Sequence, residues 1–446
     1  MDLESVKSRF HEHHIRRVKL GAFDIDATLR GKYISVEKFW SAVESGLGFC
    51  DVIFGWDIGD VLYDNVKFTG WHTGYPDTHC RMDLSSCRVI PWEPGTAFFL
   101  LDFSRPDGAP LEIAPRQVFQ RVLARAAERG YAADFSAEYE FFIFQETAQT
   151  LRQKNFAALT PLTPGMFGYS VLRASANAEL AVGILEALAA FDVPVEGFHT
   201  ETGPGVYEAA IAVEQGVAAA DRAALFKTAV KEIAARHGLT PTFMAKWNAA
   251  LPGSSGHLHQ SLRNQSTHEN LFYGERTMPG LMRHYIAGLV TNMPELTSVF
   301  CPTVNSYKRT VPGAWAPVNA TWGVDNRTTA VRAIPGSRKS SRVELRVTGA
   351  DINPYLAMAA SLAAGLDGIE RQLQLPPPTV NAYAGEAPPL PRTLAEATAL
   401  FRQSAVARDW LGEEFVEHYA ATREWEVRQF DKAVTDWELA RYFESV

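Results

Sequence analysis

The stretch Arg338–Arg346 reads R-K-S-S-R-V-E-L-R, so Arg342, Glu344 and Arg346 alternate with Val343 and Leu345. In a strand, the period of two puts the three charged side chains on one face and the apolar pair on the other. Two guanidiniums flanking a carboxylate suit anions on either side of a divalent metal. Arginine's planar fork grips phosphates and carboxylates through two parallel hydrogen bonds. The same text also suits a structural Arg–Glu–Arg ion network on a half-exposed strand.

Two further segments have this spacing. In A-E-Y-E-F-F-I-F, Glu138 and Glu140 are two apart in a run rich in aromatic and β-branched residues, which favour a pleated, half-buried surface. In P-G-S-S-G-H-L-H-Q-S-L, His257 and His259 are two apart, with Ser261 next on the same face. Acidic groups also lie at T-E-T-G-P-G-V-Y-E, where Glu201 and Glu208 flank a Gly-Pro-Gly turn. Carboxylates plus an imidazole on rigid strands suit Mg²⁺ or Mn²⁺, which prefer oxygen, and Mn²⁺ tolerates imidazole. Each pair alone is more often a solvated strand face; four such segments in one chain point to a common site.

The elements that position these residues follow from the rest of the chain. The first 107 or so residues read as short strands, such as R-R-V-K-L-G-A-F-D and G-K-Y-I-S-V, separated by turns such as T-G-Y-P-D-T. The text F-S-R-P-D-G-A-P predicts a linker, with two prolines around an Asp-Gly turn. Apolar periodicity predicts a helix over 116–130, with glycine just past its end. It predicts further helices near 176–191, 218–237 and 353–373, the last ended by P-P-P. The final 50 or so residues read as amphipathic helices.

The chain has 446 residues, which predicts two domains, and 46% hydrophobic against 21% charged residues is ordinary for a globular protein. A net charge of −8 without a basic cluster argues against a nucleic-acid partner. Cys50, Cys80, Cys87 and Cys301 lack metal-site spacing and read as reduced thiols. The charged start M-D-L-E-S-V-K and the lack of a long apolar run predict a cytoplasmic location and no membrane contact.

In order along the chain, A-E-Y-E-F-F-I-F, F-H-T-E-T-G-P-G-V-Y-E, P-G-S-S-G-H-L-H-Q-S-L, N-S-Y-K-R-T-V-P-G, N-R-T-T-A-V-R and S-R-V-E-L-R followed by D-I-N-P-Y-L resemble the glutamine synthetase family, in its bacterial type I-like branch. The resemblance implies an α+β architecture. A small N-terminal β-grasp domain, 1–107, would precede a catalytic domain, 108–446, built on a curved antiparallel sheet with flanking helices. It also implies rings, usually double hexamers, with sites between adjacent subunits. The implied chemistry is ATP-dependent: the γ-carboxylate of glutamate is phosphorylated, and an amine displaces the phosphate.

The resemblance further implies residue roles. Glu140, Glu201 and Glu208 match the ligands of one divalent ion, and Glu138, His257 and Glu344 those of a second. Arg327 and Arg342 match arginines that stabilise the transferred phosphoryl group and the nucleotide phosphates, with Arg332 and Lys339 as further basic groups. His259 and Ser261 match nucleotide-binding positions. Arg309 and Arg346 match the arginines that hold the amino-acid carboxylates, and Gly253 a backbone contact to glutamate.

The sequence also departs from the ordinary family pattern. A flap glutamate is expected after N-S-Y-K-R-x-V-P-G, but V-P-G-A-W-A-P puts Trp315 there. The ammonium-binding aspartate of F-D-G-S-S has only F-G-W-D-I-G-D in its place, with Trp56 and Asp57. Val206 and Pro252 replace a common glutamine and asparagine, and no match to the adenylylated tyrosine motif stands out. Indole cannot serve as a base, but it offers a large apolar face and cation–π attraction to an organic ammonium. An acceptor pocket of Trp56, Asp57 and Trp315 therefore predicts a γ-glutamyl–amine ligase. The alternatives are a true glutamine synthetase using ammonia, with Trp315 only packing, and a non-catalytic relative of the same fold.

Overall fold

The computed structural model describes residues 1–382 and 387–446. Six strands form the N-terminal sheet: β1 (Arg17–Phe23), β2 (Leu29–Ser35), β3 (Leu47–Cys50), β4 (Asp77–Met82), β5 (Arg88–Val89) and β6 (Thr96–Ser104). Their order is β2-β1-β6-β4-β3, with β5 beside β6, and β1 and β6 run parallel. Helix α1 (Leu3–Glu12) precedes them, where the sequence suggested only strands, and Asp2 caps it by accepting from the Ser5 amide. The expected strand G-K-Y-I-S-V stops at Ser35, whose hydroxyl caps α2 (Val36–Ser45).

The text read as a linker is a tight turn returning onto β6. Arg105 N donates to Ala109 O at 2.8 Å, Leu111 N donates to Phe103 O at 3.0 Å, and Gly108 takes φ +86°. The remaining strands are β7 (Tyr131–Phe144), β8 (Val195–Thr200), β9 (Val206–Ile211), β10 (Glu214–Gln215), β11 (Thr240–Thr242), β12 (Gly256–Asn264), β13 (Trp322–Val324), β14 (Val331–Ile334) and β15 (Arg342–Leu345). They form a nine-stranded sheet ordered β13-β14-β15-β12-β7-β9-β8, with β10 and β11 also on β7. It is antiparallel except at β13–β14, which pair parallel.

The helices are α3 (Pro115–Glu128), α4 (Ala148–Gln153), α5 (Val171–Ala176), α6 (Ala178–Ala190), α7 (Val217–Arg236), α8 (Gly280–Phe300), α9 (Pro354–Glu370), α10 (Leu394–Gln403), α11 (Ala405–Leu411), α12 (Glu413–Lys432) and α13 (Asp436–Tyr442). Helix α9 ends well before the proline run, because Gln372 adopts φ +50° and leaves the helical path. No helix among the described residues is long and apolar enough to cross a membrane.

The alternation of β7 explains the layering. Phe135, Ala137, Tyr139 and Phe141 point inward and are buried, with Tyr139 stacked on Phe226 of α7 and Phe135 edge-on to Phe119 of α3. Ser136, Glu138 and Glu140 emerge on the opposite face. The two sheets share a core in which Phe23, Ile25, Phe98 and Leu100 pack with residues of the larger sheet. A buried ion cluster reinforces the joint. Arg116 of α3 holds Asp221 of α7 through two bonds of 2.9 and 3.0 Å, Asp102 through two of 2.8 Å, and Asp83 at 2.5 Å. Near the other end, Arg423 of α12 donates to Pro302 O at 2.8 Å and to Asp26 at 2.6 Å.

Candidate active site

The strand register gathers the chemistry-bearing residues on one face of the nine-stranded sheet. His257 lies opposite Glu138, and Glu140 opposite Glu208, which in turn faces His199. On the other side His259 lies opposite Glu344, and Glu344 opposite Arg332. Residues directly opposite in neighbouring strands project on the same side and touch. Two acidic groups result, one on each side of β7.

In the first group, His199 Nε2 lies 3.2 Å from Glu201 and 3.7 Å from Glu208. Burial, with the charges of Glu140, Glu138, Glu201 and Glu344, pushes the Glu208 carboxyl up to about 9. Burial also raises Glu140, even though its carboxylate accepts from the Ser255 amide at 2.6 Å. Burial opposes ionisation of Glu201, but bonds from His199, the Thr202 amide and the Tyr169 hydroxyl together hold Glu201 low.

The second group centres on Glu344, which is 1% exposed. Arg332 donates to it at 3.0 Å, Arg346 donates to its other oxygen, and His257 Nδ1 stands 3.5 Å away. Burial opposes its ionisation, but its neighbours His257, Arg346 and His259 together hold it down at about 2. Glu138 is likewise held well below the usual carboxylate range, because His257 and His259 outweigh its burial.

The donor chemistry fits divalent cations. Two sets, His199 with Glu201 and Glu208, and Glu138 with His259 and Glu344, each bring ligand atoms within 4.8 Å of one another. A carboxyl pushed to about 9 by burial together with four like charges marks a place where positive charge is stabilising. The two histidines of β12 differ in what they offer. Arg342 Nε donates to His259 Nδ1 at 3.0 Å, so the remaining proton sits on Nε2, toward Glu138 at 3.1 Å. His257 presents Nδ1 to both Glu138 and Glu344, and burial keeps it neutral, with its pKa lowered to about 4. A neutral imidazole with a free lone pair is what a cation binds.

Beside this group, His259, Ser261, Lys339 and Arg342 line a cleft of about 350 Å³. These four were expected to meet the nucleotide. Arg332, expected with them, pairs with Glu344 and Asp325. Arg309 is buried and donates to Val347 O, Ser255 Oγ and Arg346 O at 3.0–3.2 Å. Gly253 packs so closely that a Cβ there would lie 2.5 Å from Ala245 O and 2.8 Å from the Arg309 side chain. Arg346 Nε donates to Arg327 O at 3.1 Å, and the Arg327 side chain itself is exposed.

Of the three residues expected to form an acceptor pocket, Trp315 makes no hydrogen bond or ring contact with Trp56 or Asp57 among the described residues. Trp315 is 67% exposed at φ +56° in the loop after Arg309. Trp56 lies under Arg30, whose guanidinium is 4.9 Å from its ring. Asp57 accepts from the Gly59 and Val61 amides and from Trp425 Nε1 of α12 at 2.9 Å, so its carboxylate is fully engaged.

Two residues of the face were not singled out from sequence. His199 was readable, since H-T-E spaces it two from Glu201 on β8. Tyr169 was not: it stands at φ +55° in a loop, stacks on His199 with ring centroids 4.3 Å apart, and brings its hydroxyl to Glu201.

The profile of the family described as glutamine synthetase, catalytic domain, matches residues 112–442. The chain is 49% identical over 438 residues to Type-1 glutamine synthetase 2 of Dictyostelium discoideum, covering 96% of this chain and 84% of that one. It is 38% identical over 450 residues to glutamate–isopropylamine ligase of a Pseudomonas species, covering 99% and 98%. The solved structure "GmaS/ADP complex-Conformation 1" superposes with a TM-score of 0.86 at 29% identity, covering 99% of each chain.

Proposed function

The chain belongs to the glutamine synthetase family, and from that premise we propose that it is an ATP-dependent ligase joining the γ-carboxylate of glutamate to an organic amine. The observation that carries the chemistry is the single sheet face on which Glu138, Glu140, Glu201, Glu208 and Glu344 meet His257 and the guanidiniums of Arg332 and Arg346. A glutamate carboxylate oxygen attacks the γ-phosphorus of ATP, ADP leaves, and γ-glutamyl phosphate forms. The amine, as its free base, then attacks the acyl carbon; phosphate departs with the electrons of the C–O bond, and the surplus proton on nitrogen passes to that phosphate or to solvent. Such transfer is catalysed chiefly by positioning and by charge placed around the phosphoryl group.

Glu140, Glu201 and Glu208, joined by His199, would hold one Mg²⁺ or Mn²⁺; Glu138, His257 and Glu344 would hold a second. Bound there, the ions supply charge neutralisation for the transferred group. His259, Ser261, Lys339 and Arg342 receive the nucleotide in their cleft. Arg332 acts through Glu344 and orients it. Arg327, exposed at the mouth, is free to meet the phosphoryl group, while Gly253, Arg309 and Arg346 frame the glutamate.

This assignment makes Arg346→Ala a discriminating variant. A charge-assisted hydrogen bond is worth roughly 1.5–3 kcal/mol, so KM for glutamate should rise about tenfold or more while KM for ATP moves less than about threefold. A selective loss of nucleotide affinity would reassign the residue.

The reading of the acceptor rests on Trp315, which stands where a flap carboxylate is expected, and on the isopropylamine-using relative. Burying an alkyl group against indole favours the larger amine by about 0.8 kcal/mol per methylene, roughly fourfold each. The test is kcat/KM for ammonia against methylamine, isopropylamine, ethanolamine and putrescine. Wild type should prefer an organic amine, and Trp315→Glu should shift preference toward ammonia by restoring a carboxylate for ammonium. The relative named glutamine synthetase favours a second reading, ammonia as substrate. That reading wins if wild type prefers ammonia at neutral pH.

The parallel β1–β6 pair with α2 packed nearby supports a β-grasp unit over 1–107, with the catalytic unit over 108–446. A cytoplasmic double-hexameric ring completes the proposal. Such a ring would allow Trp56 to reach the acceptor site of an adjacent copy.

A further inference from the structure

Arg309, which the ligase reading puts at the glutamate, is 3% exposed. Its guanidinium donates to three neutral oxygens, Val347 O, Ser255 Oγ and Arg346 O, at 3.0, 3.0 and 3.2 Å. Where this cation points therefore rests on how those oxygens, and its own backbone, are held. Two of the three oxygens belong to the segment that leaves β15, and that segment also reaches the backbone end of Arg309. Asp351 Oδ2 accepts from Ser306 Oγ at 2.6 Å and from Thr303 Oγ1 at 2.9 Å. Ser306 opens the short helical turn Ser306–Lys308, and its carbonyl accepts from the Arg309 amide at 3.1 Å. One stretch, 346–351, thus grips Arg309 by its head and, through Ser306, by its backbone.

The stretch is itself fastened on three sides. From below, the buried Lys227 of α7 donates to Ala350 O at 3.2 Å and to Ile352 O at 2.7 Å. Toward β12, Ala350 N donates to Ser254 O at 3.1 Å and Gly256 N to Thr348 O at 3.0 Å. Toward the N-terminal unit, the Asn353 amide donates to Asp24 O at 3.0 Å and to Ile25 O at 3.1 Å. Glycine is required at the bend, because a Cβ on Gly349 would collide with Asp351 Oδ1.

We propose that Asp351 is a positioning residue for the glutamate subsite: by holding Ser306 and Thr303 it sets the reach of Arg309 toward a substrate carboxylate. The proposal rests on the ligase reading for the identity of that carboxylate and on the hydrogen bonds of the fold for the placement of Arg309. A carboxylate suits the task, since one of its oxygens accepts from two hydroxyls at once and its charge strengthens both bonds. A displacement of about 1 Å in a substrate-positioning group can cost on the order of a hundredfold, even when the altered residue lies away from the chemistry.

The test joins steady-state kinetics of the full chain, with glutamate, ATP and the preferred amine, to the crystal structure of the Asp351→Ala variant. Asp351→Ala should raise KM for glutamate about tenfold while KM for ATP moves less than about threefold. Asp351→Asn, which keeps one acceptor oxygen, should fall between this variant and wild type. Ser306→Ala should show the same selectivity with the carboxylate intact, and thermal unfolding checks that each variant is folded. In an Arg309→Ala background, Asp351→Ala should raise KM for glutamate by less than about twofold, because a residue acting through Arg309 has nothing left to position. In the crystal, the Arg309 guanidinium should have moved away from Val347 O by about 1 Å. An unmoved Arg309, KM values for glutamate and ATP that rise together, or full additivity with Arg309→Ala would overturn the proposal. Wild type without glutamate-dependent phosphate release would overturn the ligase reading instead, and the position of Arg309 in the variant crystal would still decide the role of Asp351.

Discussion

Glu344→Gln should reduce ATP-dependent phosphate release by about 10²- to 10³-fold while the chain remains folded. Glu344 is the counter-ion of Arg332 at 3.0 Å and of Arg346, and it faces His257 at 3.5 Å. Glutamine keeps the volume and one acceptor oxygen but removes the charge. Leaving the partners of a buried ion uncompensated costs roughly 3–5 kcal/mol. Even when part of that is relieved by solvent or rotation, each 1.4 kcal/mol that reaches the transition state is a factor of ten in rate. The assay is steady-state phosphate release with glutamate, ATP and the preferred amine, checked by thermal unfolding. Turnover within threefold of wild type at low divalent-metal concentration would remove Glu344 from the site. Glu344→Ala should lose activity equally and also lower Tm, because it leaves a void between two guanidiniums.

The second large effect is on stability. Arg116→Ala should destabilise the chain by roughly 3–5 kcal/mol, because it removes the shared cation of Asp83, Asp102 and Asp221. Tyr355 still donates to Asp221 at 2.7 Å, but one neutral hydroxyl cannot offset three carboxylates. Arg116→Lys should recover little, since an ammonium cannot present the five donors of a planar guanidinium to three acceptors at once. Thermal unfolding gives the size of the loss. Limited proteolysis gives its place, which should be the 105–115 segment between the two sheets. A Tm unchanged by Arg116→Ala would show that the joint is held by apolar packing alone.

Much of the site was legible in the sequence because the strand period is two. Glu138 with Glu140 and His257 with His259 had to share a face, and the folded chain places both pairs together. Helices near 178–190 and 217–236 follow apolar periodicity and start and stop close to where it indicates. What periodicity cannot supply is which strand lies beside which. That His259 receives a bond from Arg342, leaving His257 to offer the lone pair, depends on β12 lying between β7 and β15. The engagement of Asp57 depends on Trp425, 368 residues away. Helix α1 was missed because its apolar residues are few: Val6 and Phe10 alone are buried.

The bonds from α12 to the N-terminal unit have a consequence for how the chain is made. Asp57 and its partner Trp425 are separated by 368 residues, and Asp26 and Arg423 by 397. At a synthesis rate of about 5–20 residues per second, the first partner waits roughly 20–80 s on the ribosome before the second exists. During that interval the N-terminal sheet has its strands but not its last fastenings. Docking of α12 onto the N-terminal sheet is therefore a late event in synthesis, and the nascent first half is the part of the molecule with most need of a chaperone.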